Sequence, residues 1–241
     1  MQTDINCDMG EGVGNDEAIM PFITSANIAC GYHAGDEETM RSIILLAKDY
    51  GVNIGAHPSF LDRENFGRTE KKCEPEEVYN LVKAQLLLFK KVADECGAFI
   101  HHVKPHGALY NQSAKDSRIA KAIAVAVKDF SSDLILFGLS GSISIAEAQA
   151  IGLRTRSEVF ADRTYQDDGS LTPRHQANSL IENEEKALEQ LLQMVQKKTV
   201  TTVSGKELPI VVETICVHGD GKHAITFAKN IYQTLQKHSF A

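Results

Sequence analysis

A parallel α/β fold, closed or nearly closed into a seven-stranded (β/α) barrel, is the fold class this sequence predicts. Three observations carry it. Seven short β-prone runs alternate with stretches of helical period along the 241 residues. Most of the runs are near-continuously apolar, as strands buried on both faces are. No low-complexity tract, long linker or composition break interrupts the chain, so residues 1–241 read as one barrel domain, close to the roughly 250 residues of single α/β barrels. The same alternation also permits an open doubly wound sheet.

Taken in order, the strands are expected at Thr3–Asp8, Ala26–Cys30, Val52–Ala56, Phe99–Lys104, Leu134–Leu139, Leu153–Glu158 and Val211–Val217. Met40, Ile43, Ile44 and Ala47 recur at helical spacing, and Gly51 stops that helix. Pro75 opens a second helix, whose apolar face runs from Val78 to Ala93 before Gly97. Ser113, with Asp116 three residues on, reads as the N-cap of a helix carrying Ile119, Ile123 and Val127. Ser142 to Ile151 makes a short helix closed by Gly152. Ala187, Leu188, Leu191, Leu192 and Val195 form one further apolar stripe, and Ala224, Phe227, Ala228, Ile231 and Leu235 the last. Thr199–Leu208, centred on Ser204-Gly205, reads as a hairpin inserted before the final strand.

Composition excludes several function classes. Twenty-five Lys and Arg against 32 Asp and Glu leave a net charge of −7, the wrong sign for a phosphate-backbone binder, so no nucleic-acid partner is expected. No apolar run approaches the ~20 residues of a membrane span, and the acidic N-terminal stretch lacks the features of a signal peptide. Five cysteines without a C-x-x-C pair argue against a disulfide framework or a zinc ribbon, and Cys7, Cys30 and Cys216 read as small apolar fillers. A soluble, cytoplasmic protein is the expectation, with oligomerisation open.

Chemistry is expected where the strands end, because parallel α/β folds bind ligands at that rim. Catalytic candidates there are Asp8, His57, Lys104, His106, Glu158, Asp162, His218 and Asp220. Asn6, His33, Gly138, Ser140 and Arg163 join them as substrate-binding candidates, with Arg68 as a further source of positive charge. Gly138-Leu-Ser-Gly-Ser142 reads either as an anion cradle of backbone N–H groups or as an ordinary tight turn. Asp36 and Ser142 read as helix caps, and His101 and His102 as packing inside the fourth strand. Asp8, His33 and His57 are residue types able to hold a catalytic divalent metal, without the spacing of a known ligand motif. Gly10-x-Gly-x-Gly14 lacks the last glycine of a dinucleotide fingerprint, and no P-loop occurs.

Six blocks carry a family resemblance. They are Asp4-Ile-Asn-Cys-Asp-Met-Gly-Glu11, Asn27-Ile-Ala-Cys-Gly-Tyr-His-Ala-Gly-Asp36, Ile54-Gly-Ala-His-Pro-Ser59, Lys104-Pro-His-Gly-Ala-Leu-Tyr-Asn111, Glu158-Val-Phe-Ala-Asp-Arg163 and Val217-His-Gly-Asp220. In these the chain resembles the LamB/YcsF family, the A subunits of prokaryotic ATP-dependent 5-oxoprolinases. Leu61 and Asn65-Phe-Gly-Arg-Thr69 depart from the family's usual pattern, though Arg68 is kept. The resemblance implies a seven-stranded barrel similar to the glycoside hydrolase/deacetylase superfamily. It implies ATP as co-substrate with a divalent ion such as Mg²⁺, hydrolytic opening of 5-oxo-L-proline to L-glutamate, and partner subunits B and C. It also adds Tyr110 to the substrate-binding candidates. The substrate would lie in the barrel mouth with Lys104 or Arg163 on its carboxylate, while Asp8, His57, His106 or His218 moves protons. Two rivals are a stand-alone metal-dependent amidohydrolase or deacetylase and a non-catalytic binding module; fold likeness alone transfers no metal.

Overall fold

Strand β1 (Asp4–Met9) is buried along nearly its whole length, and a loop then leads into α1 (Asp16–Ile19) and a 3-10 turn at Met20–Phe22. The computed structural model describes residues 3–217 and 224–237. There follow β2 (Ser25–Ala29), α2 (Glu37–Tyr50), β3 (Asn53–His57), α3 (Pro75–Glu95) and β4 (His102–Val103). Next come α4 (Gly107–Ser113), α5 (Ser117–Phe130), β5 (Ile135–Leu139), α6 (Ile143–Ala150) and β6 (Arg154–Phe160). The chain continues through α7 (Glu184–Leu192), β7 (Thr199–Thr201), β8 (Glu207–Pro209), β9 (Thr214–Val217) and α8 (Ala224–Lys237).

The sheet closes. Its order is β1-β2-β3-β4-β5-β6-β9, all pairs parallel, and β9 pairs with both β6 and β1. That decides for the barrel over the open sheet. Each expected strand lies on one of these seven, shifted by a residue or two at most ends, and the expected hairpin is the antiparallel β7–β8 pair. The fourth strand is much shorter than Phe99–Lys104. Phe99 is 92% exposed, so pairing begins only where His101 donates its N–H to the Ile54 carbonyl.

Besides α1 and the 3-10 turn after it, two elements lie outside what the sequence predicts. Helix α4 ends at Ser113, whose hydroxyl is bonded to the Tyr110 carbonyl, so Ser113 cannot cap the next helix. Asp116 caps α5 instead, its carboxylate accepting from the Arg118 N–H. The other is the excursion over residues 161–182, an irregular arm held by the bridges Arg163↔Leu180 and Tyr165↔Leu171. The β7–β8 hairpin braces it, for Thr202 Oγ1 donates to Asp167 and Val203 N–H donates to the Tyr165 carbonyl.

The apolar core lies outside the barrel, between strands and helices. Ile5, Cys7, Ala26, Ile28, Ile54, Val103, Leu136, Val159 and Ile215 belong to it with the inner faces of α2, α3 and α5. Residues of the other strand face meet inside, most of them polar, with the Phe137 ring stacked on His102 among them. Asn6 Nδ2 donates to Thr214 Oγ1 (2.7 Å), Asn27 Nδ2 to Asn6 Oδ1 (2.7 Å), and His102 Nε2 to Asn27 Oδ1 (2.8 Å). Asp4 accepts from Thr24, Ser25 and Thr214 and pairs with Arg156. Buried polar groups in such a network are tolerated because each is hydrogen-bonded. The network makes the barrel interior a rigid polar stack beneath the mouth.

Candidate active site at the barrel mouth

Lys104 is the centre of the site. Set just beyond β4, it is 3% exposed, and its Nζ lies 2.9 Å from Asp8 Oδ1, 2.8 Å from Glu158 Oε1, 3.1 Å from Asn6 Oδ1 and 3.2 Å from Cys216 Sγ. Burial pushes the ammonium down, but Asp8, Cys216 and Glu158 more than offset it, and Lys104 sits well above the usual lysine range. Burial likewise raises Asp8, yet His57 and Lys104 outweigh that and hold its carboxyl well below the usual carboxylate range. Asn27 Nδ2 also donates to Asp8 Oδ1, at 2.8 Å. A buried cation is thus kept charged between two acids, and Asp8 is kept ionised.

Three histidines crowd beside this triad. His57, at the end of β3, has Nδ1 2.6 Å from the Lys104 carbonyl, to which it donates. Its Nε2 lies 2.9 Å from His106 Nδ1, 3.4 Å from Asp8 Oδ2 and 3.8 Å from Glu11 Oε1. His106 donates from Nε2 to the Phe66 carbonyl at 2.9 Å. His33 stacks flat on His106, centroids 3.8 Å apart, with Nδ1 on Ser59 and Nε2 3.0 Å from Glu11 Oε1. Burial, then the neighbouring histidines, drive His106 well below the ordinary histidine range.

The 60–70 loop shapes this corner. Phe66 adopts φ +56°, a left-handed conformation that costs a bulky residue roughly 1–3 kcal/mol. In return its carbonyl orients His106, and its ring meets His33 and His106 edge-on at 5.5 and 5.4 Å. Arg68 lies over that ring. Gly107 is where the loop touches the barrel: a Cβ there would stand 2.5 Å from the Gly67 carbonyl oxygen.

Above the triad opens a cavity of about 520 Å³, within the range of small-molecule sites. Asp8, Glu11, His57, Lys104, His106 and Tyr110 form one side of it, and Arg68, Arg163 and Arg174 bring positive charge. The 161–182 arm supplies the outer wall from Ser170 to His175. Arg163 is spent partly on that arm, donating from Nε to the Ser179 carbonyl and from its guanidinium to the Thr172 carbonyl. Burial, then Arg174, lowers it to about 10. Burial, then the Glu158 carboxylate, pushes the Tyr110 hydroxyl well above its ordinary range.

Asp8, His57, Lys104, His106, Tyr110, Arg68 and Arg163 all border the cavity. Glu158 lies behind Lys104, Asn6 beneath it, and His33 behind His106. Asp162 stands on the turn after β6, where its carbonyl accepts from Ile181. Gly138 and Ser140 lie apart. Ser140 N–H is taken by the Glu158 carbonyl, Ser142 N–H by the Leu139 carbonyl, and Ser140 Oγ by Val211 N–H. The turn is therefore an ordinary βα turn and not an anion cradle. His218 and Asp220 fall outside the described residues. Sequence reasoning misses Glu11, although an acid between Gly10 and Gly12 directly after a strand is a visible signal. Among the described residues, a group able to hold a metal is Glu11, His33, His57 and His106. Asp8, expected in that role, spends one oxygen on Lys104 and Asn27.

Closed parallel barrel and titratable mouth together define a (β/α)-barrel protein with an enzyme-type cavity at the carboxyl ends of its strands. The chain belongs to the LamB/YcsF family, whose model matches residues 3–241. It is 52% identical to the A subunit of 5-oxoprolinase from Staphylococcus haemolyticus, over 98% of this chain and 97% of that one. The corresponding A subunit from Bordetella parapertussis is 49% identical, over 99% and 96%. A crystal structure of a lactam utilization protein from Thermus thermophilus superposes with a TM-score of 0.91 at 38% identity, covering 99% of this chain and 98% of that one. No described helix is long and apolar enough to cross a membrane.

Proposed function

We propose that this chain is the A subunit of a 5-oxoprolinase, opening 5-oxo-L-proline to L-glutamate while ATP becomes ADP and phosphate, together with subunits B and C in the cytoplasm. One observation carries the assignment to this site: a buried Asp8–Lys104–Glu158 triad floors a cation-rimmed cavity of small-molecule size. Relatives named as 5-oxoprolinase A subunits, half identical over nearly the whole of both chains, supply the substrate.

A five-membered lactam is a poor electrophile and water a poor nucleophile. Transfer of the γ-phosphoryl group of ATP, accompanied by Mg²⁺, to the amide oxygen removes the resonance that protects the C–N bond. A first water adds to the activated carbon, the ring nitrogen takes a proton as the C–N bond breaks, and a second water then cleaves the resulting acyl phosphate to carboxylate and phosphate. Asp8, held ionised, is the base that draws a proton from the first water. Tyr110, which keeps its proton at neutral pH, is the donor to the ring nitrogen. Lys104 has four acceptors within 3.2 Å for three N–H donors. It therefore keeps the two acids in place, and the substrate carboxylate falls to the rim arginines, Arg68 and Arg174.

The test is glutamate formation from 5-oxoproline and ATP by subunits B and C, with and without this chain. Glutamate only in its presence supports the assignment; equal glutamate without it refutes it. The histidine–glutamate group favours one second reading, a stand-alone metal-dependent amidohydrolase. ATP-independent, chelator-sensitive hydrolysis of an amide by the chain alone would establish that reading instead.

A further inference from the structure

Hydrogen bonding leaves the histidine cluster with an electrostatic deficit. His57 gives its Nδ1 proton to the Lys104 carbonyl and His106 its Nε2 proton to the Phe66 carbonyl, since a carbonyl can only accept. The remaining nitrogens, His57 Nε2 and His106 Nδ1, are therefore bare in the neutral rings, and they face each other at 2.9 Å. Glu11 Oε1, another acceptor, stands 3.3 Å from His106 Nδ1 and 3.8 Å from His57 Nε2. Three lone-pair donors converge on one point, bordering the cavity. A cation belongs there.

We propose that Glu11, His57 and His106 form an open site for a divalent transition-metal ion. The spacing fits. A tetrahedral ion bound at about 2.0–2.1 Å separates its ligand atoms by roughly 3.3 Å, and the three separations here are 2.9, 3.3 and 3.8 Å. Two imidazoles with one carboxylate suit zinc, iron, cobalt or nickel, whereas magnesium takes oxygen ligands, so this ion is distinct from any that accompanies ATP. The carbonyls of Lys104 and Phe66 fix the two tautomers, as outer partners of metal-bound histidines do.

His33 is a positioning residue. Its ring lies within 5° of parallel to His106, so its nitrogen lone pair lies in a separate plane and cannot meet the same ion in line. Unlike the three ligands it does not border the cavity, and its Nε2 reaches Glu11 Oε1 at 3.0 Å. With three protein ligands, the coordination left over opens toward the cavity, the arrangement of catalytic sites. Bound there, such an ion supplies a Lewis acid within the same mouth as Asp8. Its binding does not depend on which amide the chain hydrolyses.

The experiment uses the purified chain, stripped with chelator and titrated with Zn²⁺ by equilibrium dialysis and with Co²⁺ by visible absorption. One equivalent of Zn²⁺, and Co²⁺ d–d bands of a low-coordinate nitrogen–oxygen site, are expected. His57→Gln and His106→Gln abolish saturable binding, with circular dichroism reporting their folding. His33→Gln binds one equivalent roughly 10–100-fold more weakly, as for loss of an outer partner. Less than about a tenth of an equivalent on the wild-type chain overturns the proposal, and a proton shared by His57 and His106 then accounts for their contact. Loss of binding in His33→Gln as complete as in His106→Gln overturns the ligand assignment.

Discussion

Gly55 and His102 show how strictly single residues are set inside this barrel. A Cβ on Gly55 would stand 2.1 Å from His102 Nε2, a ring that also stacks on Phe137 at 4.2 Å and bonds Asn27. Gly55→Ala must displace His102 and orphan the Asn27 oxygen, so it is expected to cost about 3 kcal/mol or more in denaturant unfolding. His102→Ala should restore much of that loss in the double variant; additive losses would place the clash elsewhere. Neither residue can be paired with the other from the sequence. His102 is legible as packing because it lies inside a strand, but the glycine that makes room for it lies 47 positions earlier, and periodicity carries no such partner. The same holds for the triad. Asp8, Lys104 and Glu158 each follow from their place at a strand end, whereas their convergence needs the barrel closed. Glu11 is the opposite case, an acid in plain view whose value appears only once three histidines surround it.

Among the elements, helices with a strong apolar stripe are legible in the sequence because tertiary packing and sequence period agree. On α5, Ile119, Ile123 and Val127 are buried and pack with α3 and α6, while Lys121 faces water. Ile123→Ala should therefore lower unfolding free energy by about 2–5 kcal/mol, and Lys121→Ala by no more than about 0.5 kcal/mol. Comparable losses at both positions would contradict the assigned face. What escapes the sequence lacks a period. Helix α4 is two turns long and begins at Gly107, and the 161–182 arm is held by isolated bridges, side-chain bonds to carbonyls and the β7–β8 hairpin. That arm forms the outer wall of the cavity, so the part of the site hardest to read is the part made from irregular chain. The seven strands, in contrast, announce themselves through short apolar runs ending in polar residues, and only the fourth and the last are markedly shorter than their runs.

For the molecule as a whole, a polar barrel interior sets the response to acid. Burial, followed by the charges of His101, Lys104 and Arg156, holds His102 well below the ordinary histidine range. An unfolded chain takes up that proton near pH 6.5, while the native state refuses it until far lower. In that window the unfolded state binds more protons, so stability falls as pH is lowered through the ordinary histidine range. Asp8, depressed in the folded state, contributes stability that is present above the ordinary carboxylate range and lost as pH falls through it. Melting temperature should drop between pH 7 and pH 5, and His102→Asn should flatten part of that slope. An unchanged slope would assign it to other buried groups.

The central claim is that the lactam is opened in the mouth of this barrel. Its most direct test is the rate of glutamate release from 5-oxoproline and ATP by subunits B and C reconstituted with Asp8→Asn, a near-isosteric change at a cavity-bordering residue. Removing a proton-transfer group costs about 10²–10⁴-fold. With complex assembly verified by gel filtration, a loss of at least about a hundredfold is expected. A rate equal to that of the wild-type complex would place the chemistry outside this mouth.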